Sequence, residues 1–214
     1  MLHQHKITAL ADVRSRPYSR YLAHFNKAPL KSALNRAGIY YVFLGQELGA
    51  RPDDQACYVD GKAVYEKIAA TDAFHNGIQR ALKGTHKHKV ALMCAEKDPL
   101  TCHRAILVCQ YLKEFNLDIK HILKGGALES HEHLEHRMLV KHRMAEPSTL
   151  TAKHQLSLFG QKPSNQQSKS ELLREAYKLQ GYEIAYVEQK GVNGEQTDQP
   201  VYNRIHEKKC SKVL

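Results

Sequence analysis

Residues 90–104, Val-Ala-Leu-Met-Cys-Ala-Glu-Lys-Asp-Pro-Leu-Thr-Cys-His-Arg, restrict the folds open to this chain more than any other stretch. Val90 to Cys94 is a short apolar run, the pattern of a strand covered on both faces. Asp98 suits a helix N-cap and Pro99 the first helical position, where a missing N–H costs no helical hydrogen bond. The apolar spacing then continues through Ala105–Val108 and Tyr111–Leu112 to about Phe115, which predicts a helix. A strand, a short polar loop and a helix start form the crevice in which open α/β sheets bind ligands, beyond the carboxyl ends of their strands.

The same alternation extends along the chain. Ile7 to Ala11 reads as a first strand, stopped by Asp12–Arg16 and by Pro17, which cannot continue a central strand. Leu30, Ala33, Leu34 and Ala37 share one helical face, Gly38 supplies a C-cap, and Ile39–Leu44 reads as a second strand. Tyr65–Ala70 and Phe74–Leu82 read as helices, with Asp72 as a cap between them and Gly84 ending the second. Ile119–Leu123 is a further predicted strand closed by Gly125-Gly126, and Glu129–Met144 a histidine-rich helix. The expected architecture is therefore an α/β core over residues 5–143, with a mainly parallel sheet between helices.

Composition shifts after that core. Residues 144–170 form a polar linker with an apolar docking clip, Leu156–Phe159. Residues 171–190 predict a helix and then an edge strand, Tyr182–Val187, and residues 191–214 a mobile basic tail. No apolar run is long enough to span a membrane and Met1–Lys6 lacks a signal-peptide core, so a cytoplasmic protein is expected. The five cysteines are an odd number without a dense framework, which favours reduced thiols.

Several motifs resemble those of the domain-of-unknown-function 488 family: Cys94-Ala95-Glu96-Lys97-Asp98-Pro99 followed by Cys102-His103-Arg104, Asp12-Val13-Arg14-Ser15-Arg16-Pro17, and Gly38-Ile39-Tyr40-Tyr41. Phe74–Ile78, His121-Ile122 and Lys178–Tyr186 extend the likeness over most of residues 7–187. One departure is Ala50-Arg51 after Leu48-Gly49, where the family often has a second glycine. The resemblance implies a Rossmann-like, three-layer α/β domain with a loose link to nucleic-acid or nucleotide metabolism.

For chemistry, Glu96, His103 and Asp12 are the candidate catalytic residues at the strand ends, Glu96 and His103 as acid and base partners and Asp12 either as a second acid or as the group that orients an arginine. Arg14, Arg16 and Arg104 are candidate phosphate clamps. Cys102 is a candidate reactive thiol, with inert packing as its alternative. Adjacent residues on a regular helix diverge by about 100°, which sets Cys102 and His103 apart. Phosphatase chemistry needs cysteine five residues before arginine, and Cys94 precedes Arg104 by ten. No Cys-x-x-Cys occurs, and His131-Glu132-His133 lacks the second histidine of a metalloprotease, so neither a metal nor a cofactor is expected.

Net charge is +10, and residues 1–36 carry seven Lys or Arg against Asp12 alone, 7 − 1 = +6. Tyr18, Tyr21 and Phe25 interleave with Arg20 and Lys27, a composition suited to phosphates and stacked bases. The expected partner is a phosphate-containing small molecule or nucleic acid, and the expected role a hydrolase of nucleotides or nucleic acid. The alternative is a non-catalytic binding module in which the charged cluster is structural.

Overall fold

A computed structural model describes residues 1–145 and 168–188. In chain order these form β1 (Ala9–Asp12), α1 (Lys27–Arg36), β2 (Tyr40–Phe43), α2 (Gly45–Leu48), β3 (Tyr58–Val59), β4 (Lys62–Ala63), α3 (Tyr65–Ala69), α4 (Asp72–Thr85) and β5 (Val90–Met93). A 3₁₀ turn at Pro99–Thr101 and a π-helix over Arg104–Cys109 lead into α5 (Gln110–Leu112), β6 (Lys120–Ile122), β7 (Leu128–Ser130), α6 (His131–Lys141) and α7 (Lys169–Ile184). The Leu156–Phe159 clip, most of the 144–170 linker and the tail from 191 lie outside the described residues.

The parallel sheet has the order β2-β1-β5, with Ala9 level with both Tyr40 and Val90. Side chains alternate across a strand, so β1 feeds two cores. Leu10 joins Leu30, Leu34 and Ile39 under α1, while Ala11 and Val13 join Leu48, Phe74, Ile106 and Tyr177 on the opposite face. The result is the expected α/β sandwich, compatible with a Rossmann-like layout. The central, fully buried strand is β1; β5, read as covered on both faces, is an edge strand whose residues are only half-buried. Apolar composition points the other way, since Val90–Met93 is apolar on both faces while β1 ends in Asp12, and it is strand order that decides burial.

Other elements depart from the sequence reading. The cap of α4 is Thr71, whose hydroxyl accepts from the Phe74 amide, rather than Asp72. Strand β6 pairs antiparallel with β7 in a separate hairpin, and the histidine-rich helix begins at His131 under a Ser130 cap. Helix α7 runs through Tyr182 to Ile184, where an edge strand was expected, and only Val187 bridges to Lys62. Packing overrides local pattern here: Tyr177 and Gln180 are buried on one face of α7, and a Cβ at Gly181 would sit 3.1 Å from the Tyr65 ring.

Helix α7 is also tied to the loop after β5. Gln180 is fully buried and its Nε2 donates to the Leu100 carbonyl at 2.9 Å, while Lys141 Nζ and His142 Nε2 reach Gln180 Oε1 at 2.8 and 3.0 Å. Beside this lies a buried chain of side chains. His121 Nε2 meets His131 Nδ1 at 2.9 Å, His131 Nε2 meets the Tyr177 hydroxyl at 2.9 Å, and that hydroxyl donates to Glu135 at 2.7 Å. Glu135 in turn pairs with Lys113.

Candidate functional site

The carboxyl ends of β1 and β5 lie side by side, since Asp12 is level with Met93 and the Val13 amide donates to the Met93 carbonyl. Chain geometry closes one wall. A Cβ at Gly45 would lie 2.0 Å from the Arg14 carbonyl oxygen, and one at Gly49 would lie 2.3 Å from Ser15 Oγ, so both glycines permit α2 to pack against Arg14–Ser15. Ala50 needs no such freedom. It is buried, and the following Arg51 amide donates to Ser15 Oγ at 3.0 Å.

Beyond β5 four potential ligand atoms gather, all within 4.8 Å of one another: Cys94 Sγ, a Glu96 carboxylate oxygen, Cys102 Sγ and a His103 ring nitrogen. Cys94 Sγ is 2.8 Å from Glu96 Oε2 and 3.3 Å from His103 Nδ1, and Cys102 Sγ is 3.2 Å from Glu96 Oε2. Cys102 and His103 converge because Cys102 is not helical. It sits extended at φ −124°, ψ 131° between the 3₁₀ turn and the π-helix, so the divergence expected of helical neighbours does not apply. Asp98 fixes the turn by accepting from the Leu100 amide, as its capping role predicts.

The surrounding groups hold these atoms in place. His103 Nε2 lies 3.0 Å from the Val13 carbonyl, which fixes that nitrogen as the N–H and turns Nδ1 toward Cys94. Arg104 Nη1 donates to the Glu96 carbonyl at 2.9 Å and approaches Cys102 Sγ at 3.2 Å. Cys102 and His103 are buried, Cys94 is half-buried and Glu96 faces solvent, so the cluster opens outward through Glu96.

Electrostatics differ at each member. The hydrogen bond from Cys102 holds the Cys94 thiol well below its ordinary value, against burial and with help from His103. Burial, together with the same bond to Cys94, pushes the Cys102 thiol well up. Although Glu96 is exposed as a residue, its carboxylate is turned in against the two sulfurs, and the loss of water there raises it, as do the neighbouring Cys94 charge and hydrogen bond. Burial works against the His103 imidazolium, yet the charges of Cys94 and Glu96 outweigh it and the group is raised.

Asp12, read as a second acid or as the group that orients an arginine, holds Arg14. It is fully buried, its carboxylate receives Arg14 Nε at 2.8 Å and Nη2 at 2.6 Å, and the Tyr41 hydroxyl donates to it at 2.8 Å. Arg14 spends its remaining reach on the Phe25 carbonyl at 2.9 Å, but it lies near enough for a Cys94 thiolate to favour its charge. Arg16 is exposed on the loop beyond. The structure thus brings together Glu96, Cys102, His103 and Arg104, and sets the Asp12–Arg14 pair beside them. Cys94, weighed in the sequence only as a phosphatase nucleophile and set aside on spacing, joins this group from the end of the apolar strand.

Fold and cluster together define a parallel α/β protein with a thiol, imidazole and carboxylate constellation at the carboxyl edge of its sheet. More particularly, the chain belongs to the family described as Domain of unknown function DUF488, whose sequence model matches residues 1–111. The match takes in β1 to β5 and the whole cluster, and ends before the β6–β7 hairpin, α6 and α7. No curated protein and no solved structure matches the chain. Among the described residues no helix is long and apolar enough to cross a membrane.

Proposed function

We propose that Cys94, Cys102 and His103 hold a divalent ion of the zinc type and that the protein is a hydrolase of phosphate-bearing substrates, nucleotides or nucleic acid, with Glu96 as its proton-transfer group. The observation that carries this reading is the convergence of two sulfurs, an imidazole nitrogen and a carboxylate oxygen within 4.8 Å. Catalytic zinc sites use three protein ligands of these kinds and leave a fourth position for water or substrate. The contact from His103 Nε2 to the Val13 carbonyl, 3.0 Å, is the outer support that metal-bound histidines commonly have. When bound, such an ion supplies a Lewis acid and lowers the pKa of coordinated water.

The chain's own residues then have distinct tasks. Cys102 and His103 anchor from the buried side, Cys94 closes the set from the end of β5, and Arg104 offsets thiolate charge at Cys102. Glu96, on the solvent side, takes a proton from the attacking water and returns it to the leaving group. Arg14 stays with Asp12 and shapes the floor. The net charge of +10 draws anionic substrates toward the protein. Two neighbouring reduced sulfurs also suit a reducing compartment such as the cytoplasm.

The test is metal content and cobalt substitution of protein purified under reducing conditions, followed by turnover of a nucleotide and oligonucleotide panel. One ion per chain, thiolate-to-cobalt absorption that disappears in Cys94→Ser and Cys102→Ser, and loss of turnover in Glu96→Gln with metal retained are expected. Protein that takes up no ion would sink the reading. Rapid alkylation of Cys94 in that metal-free protein would favour a thiolate–imidazolium nucleophile instead.

A further inference from the structure

The loop between β1 and α1 closes on itself. The Lys27 amide donates to the Pro17 carbonyl at 3.0 Å, the Ser19 amide to Asn26 Oδ1 at 2.6 Å, and the Leu22 amide to Ser19 Oγ at 3.1 Å. Compact loops of this kind normally turn their apolar side chains inward. This one turns them out. Tyr21 is 93% exposed, Tyr18 68%, Leu22 50% and Phe25 39%. The Phe25 ring packs on His24 with centroids 4.3 Å apart, whereas Tyr18 and Tyr21 are left largely in water on an internally bonded loop and gain little from folding.

Charge singles out one kind of partner. From Arg16 to Lys27 the loop carries Arg16, Arg20 and Lys27 and no acid, within an N-terminal segment whose excess is +6. Exposed aromatic rings among cations are the surface that takes single-stranded nucleic acid: each ring stacks an unpaired base and each cation meets a phosphate. A paired duplex offers no such base faces, and its binding would rest on charge alone.

Position ties the loop to the cluster. The Arg14 guanidinium grips both the Asp12 carboxylate and the Phe25 carbonyl, at 2.6 and 2.9 Å through Nη2, so the far end of the loop is fastened to the end of β1. The neighbouring Val13 carbonyl meets His103. A strand lying over Tyr18, Tyr21 and Phe25 is thereby held at the edge of the sheet that carries Cys94.

We infer that the Pro17–Lys27 loop is a stacking platform for single-stranded nucleic acid. The binding claim stands on the loop itself; only its extension, that the captured strand is what the Glu96 edge hydrolyses, rests on the function proposed above.

The decisive experiment is fluorescence anisotropy of labelled oligothymidylate, single-stranded and in a duplex, titrated with the full chain over a salt series, with and without a chelator. Single strand should bind at least about ten-fold more tightly than duplex, and Tyr18→Ala and Tyr21→Ala should each weaken it about ten-fold or more. Arg20→Ala should lower the salt slope by about one. Binding that survives the chelator keeps the platform distinct from any metal at the cluster. Equal binding of strand and duplex with neutral tyrosine variants would overturn the inference in favour of charge alone. So would co-sedimentation with phosphatidylglycerol vesicles that Tyr21→Ala abolishes, which would make the loop a membrane-facing surface.

Discussion

Two polar clusters in this molecule are wired in opposite ways. In the His121–His131–Tyr177–Glu135 group each polar atom meets its neighbour in line, and the chain ends in an ion pair with Lys113. In the Cys94–Glu96–Cys102–His103 group the atoms point at one another across a shared centre. The first arrangement satisfies buried groups and rigidifies the contact between α6 and α7. The second brings two thiols, a carboxylate and an imidazole to one place, so that the ionisation of each depends on the others. Convergence, rather than burial or histidine content, is what distinguishes the Cys94 cluster from the His121 chain.

That comparison can be broken most directly with cobalt. Cys102→Ser should abolish uptake outright, while Tyr177→Phe should bind cobalt as the unaltered protein does, both read from the thiolate charge-transfer band. Uptake lost in the second variant would mean that the two clusters are one system.

The next largest effect is in acid. Burial, then the charges of His131, Arg104 and Arg137, press the His121 imidazole down to about 3. An unfolded histidine titrates near 6.5, so between these values the unfolded chain binds one more proton than the folded one. Stability from this group is therefore complete above about pH 6.5 and falls by about 1.4 kcal/mol per unit as pH drops toward 3. Denaturant titrations over that range should show the slope, and His121→Gln should reduce it, leaving the contribution of His131, which burial also holds down.

A smaller change is expected from Tyr177→Phe, which leaves His131 Nε2 and Glu135 without their shared hydroxyl and should cost about 1–3 kcal/mol. Ser168→Ala sharpens the lower bound. Ser168 caps α7 in a reciprocal box with Glu171, and losing an N-cap costs about 1 kcal/mol. Thermal melts with unchanged cobalt uptake would place both effects in the structural wiring.

How much of this was legible differs by element. The βαβ start was readable because Leu30, Leu34 and Gly38 mark a helix and its end, and Gly38 indeed adopts φ +71°. The strand before Cys94 was equally plain. The end of α7 was not, because Tyr182–Val187 alternates like a strand, while the packing that carries the helix onward, Gln180 against Leu100, Lys62 against Tyr182 and Lys141 against Glu183, comes from distant parts of the chain. Glu96, His103 and Cys102 were picked from their nearness in sequence. Their relation to Cys94 was hidden, since it depends on Cys102 being extended between two irregular helical turns, a backbone state that no spacing rule encodes.

The bond from Gln180 to the Leu100 carbonyl has a further consequence during synthesis. Its partners are 80 residues apart, which at 5–20 residues per second corresponds to about 4–16 s of translation. Until then the turn that presents Cys102 lacks its clasp, although every residue of the cluster has already been made. The nascent protein thus passes through an interval in which Cys94 and Cys102 exist before the helix that steadies their loop, and the completion of that loop is timed by the last part of the described chain to be synthesised.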